Sequence, residues 1–303
     1  MDVTAVKVRV GFGLGVAAEL DGRGFADLVD ALEDLGFDSL WLSERATGPS
    51  PDPLVALAVA AGRTRRMKLG TSVQVLPGRN PVLLAKSWAS LDRLSGGRAL
   101  PAFGLGVVSP VEQQAFGVTR EERAPWFDEA LPLLRRLWTE DHVDHDGARF
   151  HYRDVTVLPK PVQQPLDVWL GGRAPSELRR VGRLADGWLP SFCVPVDVAQ
   201  GRETVITAAG EVGRAIDTEH WGALVAYAHG ELPDQLVAAL ASRLPGVDPR
   251  RVIPVGHDAL RARLEEFLAV GFSKLVPVPL GAPHVSWPDE LAALADATLD
   301  LQT

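Results

Sequence analysis

A single cysteine, Cys193, is the whole thiol complement of the chain. One thiol excludes an intramolecular disulfide framework and a multi-cysteine metal site. With no base beside it in sequence, Cys193 reads as a small buried apolar residue. Long apolar runs are also missing: none approaches the ~20 residues needed to cross a bilayer. The opening MDVTAVKVRVGFGLG has no basic segment followed by a long apolar one, so no secretory signal is expected and a cytoplasmic location is the simplest expectation. Basic charge is in deficit, with 31 Lys and Arg against 39 Asp and Glu and a net charge of −8. Nucleic-acid binders carry the opposite balance, so that class is set aside. GxSxG, P-loop, HExxH and EF-hand signatures are absent too. What remains is 303 residues, 46% hydrophobic and 23% charged. That is enough apolar material for a large core, and it suits one large α/β barrel or two ordinary domains.

Apolar periodicity alternates between strand and helix along the chain. Lys7 to Leu14 reads as a first strand broken by Gly11 and Gly13, followed by a helix from Phe25 to Leu35 that Gly36 ends. Ser39 to Ser43 is a second strand. Asp52 caps a second helix with Pro53 in its first turn, running to Thr64. Lys68 to Leu76, Pro81 to Leu94 and Ala99 to Leu105 form a third strand, a third helix and a fourth strand. A loop, VVSPVEQQAFGV, leads to a strongly helical stretch from Arg123 to Thr139. The polar segment from Glu140 to Pro161 reads as an irregular insertion. Asp167 to Leu170, Gly187 to Pro190, His220 to Ala228 and Lys274 to Val278 complete eight strands. The helices between and after them span Pro175 to Leu184, Val196 to Val212, Pro233 to Leu240, Asp258 to Val270 and Pro288 to Leu301. Ser242 to Pro254 is the least readable part. Eightfold alternation predicts a closed parallel (β/α)8 TIM barrel over residues 1–303 with an insertion at about 140–161. A doubly wound sheet is the alternative, but no GxGxxG opens the first unit.

In such a barrel the chemistry sits at the C-terminal ends of the strands. Here those ends are Gly13 to Val16, Ser43 to Arg45, Thr71 to Leu76, Gly104 to Ser109, Gly171 to Arg173, Ser191 to Cys193, Tyr227 to His229 and Val278 to Leu280. Glycine pairs at 11 and 13, 104 and 106, and 171 and 172 let backbone approach a flat ligand closely; each pair alone also fits a tight turn. Gly171-Gly172-Arg173-Ala174-Pro175-Ser176 opens a helix, whose free N–H groups and arginine suit an anion. Glu44-Arg45 is either a solvated ion pair or a pair that orients a ligand. Asp92-Arg93 lies at the far end of its helix and reads as structural. His142, His145 and His151 have no spacing that makes a tight metal site, and no metal is expected.

LGTSVQVLPGRNPVLLAKSWASLDRLSGGRALPAFGLG (69–106) resembles the luciferase-like monooxygenase superfamily of flavin and deazaflavin enzymes. GFDSLWLSE (36–44), DVWLGGRAPSELRRVGRLADGWLPS (167–191) and VGHDALRARLEEFLAVGFSKLV (255–276) fit the same family. Within it, the chain is most similar to the actinobacterial branch that uses the deazaflavin coenzyme F420. The resemblance implies a barrel with an insertion, hydride transfer between deazaflavin C5 and a substrate carbon, and a non-prolyl cis peptide at Ser72–Val73, within Thr71-Ser72-Val73, against the cofactor's middle ring. It implies that Gly104 and Gly106 line the ring, that Gly171, Gly172 and Arg173 hold the phosphate, and that Gly13 and Glu44 belong to the same site.

Two departures stand out. The family's sugar-phosphate dehydrogenases carry Asp-His where this chain has Glu44-Arg45, and a glutamate where it has Val107. Glucose-6-phosphate oxidation is therefore not expected, and Glu44 and Arg45 become the candidate catalytic residues. The arginine that FMN-using relatives place after the fourth strand is also missing from Val107-Val108-Ser109. The expectation is an F420-dependent oxidoreductase acting on a small, mildly apolar molecule, with Trp41, Phe103, Trp169, Trp188 and Phe192 near the mouth. An FMN-dependent monooxygenase and a non-catalytic flavin- or deazaflavin-binding barrel are the alternatives. Family members are often homodimers through the second and third helices, where Val59, Trp88 and Leu91 would sit.

Overall fold

The computed structural model describes residues 6–16, 18–241, 248–281, 283 and 285–303. Part of the poorly readable stretch, 242–247, lies outside the described residues. Eight strands follow one another: β1 (Arg9–Val10 and Phe12–Leu14), β2 (Ser39–Leu42), β3 (Lys68–Thr71 and Gln74–Val75), β4 (Ala99–Leu100 and Ala102–Gly104), β5 (Trp169–Leu170), β6 (Gly187–Trp188), β7 (Gly222–Tyr227) and β8 (Lys274–Pro279). All pair in parallel with their neighbours. β1 pairs with β2 through Phe12 and Leu40, and with β8 through Arg9 and Lys274, which closes the ring. β6 and β7 meet through two bridges, Trp188 to Trp221 and Ser191 to Leu224. The closed (β/α)8 barrel read from the alternation is therefore the observed fold, and the doubly wound alternative falls away.

Local chemistry explains the interruptions in β3 and β4. β4 breaks at Pro101, which has no N–H to give the ladder. Its carbonyl still accepts from Trp169 N–H at 2.9 Å. β3 breaks at Ser72–Val73, whose peptide is cis, as the resemblance implied.

The helices are α1 (Gly22–Leu35), α2 (Pro53–Arg63), α3 (Pro81–Ser95), α4 (Pro110–Phe116), α5 (Arg123–Thr139), α6 (Pro175–Leu184), α7 (Pro195–Gly210), α8 (Asp234–Ala241), α9 (Pro249–Val252), α10 (His257–Ala269) and α11 (Trp287–Thr298). Asp21, Asp52 and Asn80 cap α1, α2 and α3 by accepting backbone N–H groups. Gly36 and Gly96 end α1 and α3 in the left-handed conformation.

The barrel interior is filled rather than hollow. Trp41 and Trp169 meet edge to face inside it, 6.1 Å apart. They fit because glycine faces them: a Cβ on Gly70 would lie 2.5 Å from the Trp41 ring, and one on Gly187 would lie 2.5 Å from the Trp169 ring. Trp41 and Trp169 thus floor the barrel instead of lining its mouth. Trp188 packs outside the sheet with Trp221 and Phe272. Of the five aromatics expected near the mouth, Phe103 and Phe192 are there. Trp88 and Leu91 are buried within the chain, so neither can face a partner, whereas Val59 is exposed.

Two segments read as irregular contain regular structure. The loop after β4 contains α4, a seven-residue helix that Pro110 opens and Gly117 closes. The irregular insertion holds an antiparallel hairpin, Val143–Asp146 with His151–Val155. Its strands are largely exposed, so few apolar residues mark an alternation. The hairpin is fixed from α5: Glu129 accepts from Phe150 N–H at 3.0 Å and from Arg149 N–H at 3.1 Å. Asp92 is structural as expected. Fully buried, it accepts from Val162 N–H at 2.7 Å and Gln163 Nε2 at 2.7 Å, and so anchors the return from the insertion to β5.

Candidate active site

A cavity of about 420 Å³ opens at the C-terminal ends of the strands. Of the expected site residues, Glu44, Arg45, Ser72, Val73, Gly104, Gly106, Gly171 and Gly172 line it together. Gly13, Thr71 and Arg173 do not. Gly13 lies against β8, where a Cβ would come within 2.6 Å of Val278 Cγ2. Thr71 faces the sheet: its hydroxyl donates to Ala102 O at 2.7 Å and accepts from Ala102 N–H at 3.0 Å. Arg173 belongs to a neighbouring cleft, and its guanidinium donates to Phe192 O at 3.0 Å.

Val73 forms the wall at the end of β3. Glycine stands wherever a side chain would obstruct it: a Cβ on Gly104 would sit 2.4 Å from Val73 Cγ2, and one on Gly171 would sit 3.3 Å from Val73 Cγ1. Gly106 has φ +78°, a conformation that favours glycine, and a Cβ there would press on Val75. The Ser43 hydroxyl donates to Ser72 O at 3.0 Å and tethers the same turn to β2.

Glu44 holds the next residues in place. It accepts from Val75 N–H at 2.7 Å and pairs with Arg79, whose Nε donates to Val75 O at 2.9 Å. Burial pushes the Glu44 carboxyl above its ordinary range, against the opposing pull of Arg79 and the Val75 N–H.

Five cavity groups come from helices, Phe127 of α5 among them, and reading only strand ends misses them. Glu112 of α4 is buried and accepts from Thr47 N–H at 3.0 Å, from the Thr47 hydroxyl, and from Ala46 N–H at 3.2 Å. Burial alone would raise its pKa, but these bonds and the charge of Arg45 hold it below the usual value. Glu177 of α6 accepts from Arg173 N–H and Ala174 N–H, both at 2.9 Å. Arg180, also on α6, lines the cavity while paired with Asp128 at 2.6 Å and lying over the Phe127 ring. Trp287 enters from α11. A shared sequence signal precedes two of them: Pro110-Val-Glu112 and Pro175-Ser-Glu177 both put glutamate in the first turn of a helix that starts at the site face.

The residues present suit a flat, uncharged ring against Val73, with glycine behind it. At the other end, the turn expected to hold a phosphate does bind an oxyanion, namely the protein's own Glu177 carboxylate. The three hairpin histidines do not converge: His142 pairs with Asp154, His145 with Glu129 and His151 with Asp146. Cys193 is buried, and burial pushes its thiol up to about 12, so it carries no nucleophile. Among the described residues no helix is long and apolar enough to cross a membrane.

A closed eight-stranded barrel with its cavity at the strand C-termini is the architecture of TIM-barrel enzymes. The chain belongs to the luciferase-like monooxygenase family, whose model matches residues 6–269. An F420-dependent glucose-6-phosphate dehydrogenase of Kineococcus radiotolerans is 27% identical, over 91% of this chain and 92% of that one. A monooxygenase from Streptomyces bottropensis shares the fold with a TM-score of 0.81 at 23% identity, over 96% of this chain and 99% of that one. An F420-dependent secondary alcohol dehydrogenase, solved with an F420-acetone adduct, gives a TM-score of 0.80 at 18% identity, over 98% of this chain and 100% of that one.

Proposed function

We propose that the chain is an F420-dependent oxidoreductase acting on a small, mildly apolar organic molecule. The observation that carries this reading is the Val73 wall backed by Gly104 and Gly171, a flat apolar surface at the one end of the barrel where chemistry is expected. The Kineococcus relative supports the choice of cofactor. When bound, the deazaflavin supplies the carbon that accepts or donates a hydride.

The protein's share is placement and exclusion of water. Val73, Gly104 and Gly106 would hold the ring. Gly171 and Gly172 would admit the phosphate-bearing side chain toward the N–H groups of Arg173 and Ala174, which a phosphate would take over from the Glu177 carboxylate that both now serve. Glu44 and Arg79 fix the backbone of Val75 and with it the end of β3. Glu112, kept ionised by its hydrogen bonds, is an acceptor for a substrate hydroxyl at the cavity edge. Glu44 is a cavity carboxylate that burial shifts above its ordinary range while Arg79 and the Val75 N–H oppose the shift.

Substrate character follows from the rest of the lining. Leu14, Val107, Phe192, Leu280 and Trp287 face the cavity. Val107 stands where the family's sugar-phosphate dehydrogenases carry glutamate. The lining holds no lysine, and of its two arginines Arg180 is engaged with Asp128. A sugar phosphate is therefore disfavoured, and an alcohol, ketone or enone with apolar substituents is favoured.

The experiment is an anaerobic assay that follows the absorbance of F420 with a panel of secondary alcohols, and of its reduced form with ketones and enones. Turnover of an apolar member, with none of glucose 6-phosphate, is expected. Tight binding with no turnover across the panel would favour a non-catalytic carrier, and substrate oxygenation with reduced FMN would favour a monooxygenase.

A further inference from the structure

Behind the cavity wall, two imidazoles and a carboxylate converge from three elements. His229 follows the end of β7, His257 opens α10, and Glu290 lies in the first turn of α11. His257 Nε2 is 2.9 Å from Glu290 Oε1, and His229 Nδ1 is 3.4 Å from Glu290 Oε2. One donor atom of each residue lies within 4.8 Å of the other two. The side chains are withdrawn from solvent, with Glu290 5% exposed, His229 12% and His257 24%. Tyr227 supports the group from behind: its hydroxyl donates to Glu290 Oε1 at 2.7 Å. Burial, with Glu290 adding to it, pushes the Tyr227 phenol well above its ordinary value, so it stays a donor. Among the described residues, no other three His, Cys, Asp or Glu side chains converge in this way.

We propose that His229, His257 and Glu290 form a binding site for a borderline divalent transition-metal ion, with Zn2+ the best match. Two imidazole nitrogens and one carboxylate oxygen are the donor set that such an ion prefers, whereas Mg2+ and Ca2+ take oxygen sets. Around an ion at about 2.0–2.2 Å, His257 and Glu290 would part slightly from their hydrogen-bond distance while His229 closes in, leaving a fourth position for water. The Tyr227 hydroxyl orients the carboxylate from outside, as outer partners of metal ligands do. The ion would tie the end of β7 to the starts of α10 and α11. Ala226 of β7 and Trp287 of α11 both line the cavity, so the ion would brace one of its walls without meeting the reacting atoms. Without a metal, the same contacts make a hydrogen-bonded His–Glu–Tyr network, and that is the alternative to be excluded.

The test uses the full chain, stripped with a chelator, dialysed and titrated with Zn2+ by calorimetry, with bound metal counted by mass spectrometry. One Zn2+ per chain is expected. His257→Ala and His229→Ala should each weaken binding by at least about a hundredfold, and Tyr227→Phe by about tenfold. His142→Ala, on the exposed hairpin, should bind like the wild type. His257 is the most exposed of the three, so its variant carries the test if His229→Ala does not fold. Co2+ gives a second readout: the wild type should show ligand-field absorption that His257→Ala lacks. Zn2+ affinity in His257→Ala equal to that of the wild type, or no binding to either, would overturn the proposal.

Discussion

Val73 and Gly104 show how a single hydrogen atom decides the shape of the site. Valine is stiff about χ1 because of its branched Cβ, so Val73 cannot easily turn away from a new neighbour. A methyl group at position 104 would lie 2.4 Å from Val73 Cγ2. Gly104→Ala should therefore displace the wall and weaken F420 binding by about tenfold or more, with the thermal midpoint close to the wild type. In a Val73→Ala background the same substitution should cost much less, since the clashing methyl is gone. Equal losses in both backgrounds, read by cofactor titration, would separate Gly104 from the wall. The glycines at 104, 106, 171 and 172 were legible in the sequence because they fall at strand ends. Glu112, Glu177, Arg180 and Trp287 were not, because they reach the cavity from helices. The two glutamates carried a faint sign in their Pro-x-Glu spelling. Arg180 and Trp287 carried none, since only three-dimensional packing aims a helix residue at the mouth.

At the scale of elements, long-range clamps set where each strand begins. Glu33, near the end of α1, accepts from Arg65 N–H and Arg66 N–H at 2.9 Å and from Met67 N–H at 3.0 Å, just before β3 starts. Burial works against its charge, but these three bonds and the nearby Arg66 hold its pKa below the ordinary 4.5. A carboxyl lowered by folding stabilises the fold fully above its unfolded value, and this is lost as the pH falls through its folded value. Glu33→Gln should cost about 1–2 kcal/mol at neutral pH. The gap in thermal midpoint between wild type and variant should shrink as the pH falls below about 4.5 and close once the pH is below the lowered folded-state value. A gap that persists unchanged to that pH would mean that the charge of Glu33 contributes nothing. The elements that could be read from the sequence were those with a strong apolar stripe, such as α5 and α6, and the buried strands β2, β7 and β8. α4 escaped because seven residues make barely two turns. The hairpin escaped because its exposed strands carry Asp, His and Arg in place of alternating apolar residues.

The whole molecule is a barrel with a division of labour along its axis. Trp41 and Trp169 floor the interior, and the site face is lined by glycine, aliphatic side chains and buried carboxylates. The eightfold alternation made the barrel legible before any coordinates. Closure followed from the count of eight, but the register of the closing pair, Arg9 with Lys274, could not be read, because it joins residues at opposite ends of the chain. Family membership and the Val73 wall lead to one central claim, that this mouth is built for a deazaflavin. Equilibrium titration of the purified chain with F420 and with FMN, under identical conditions, tests it most directly. F420 is expected to bind at least about tenfold tighter than FMN; tighter binding of FMN would contradict a deazaflavin site.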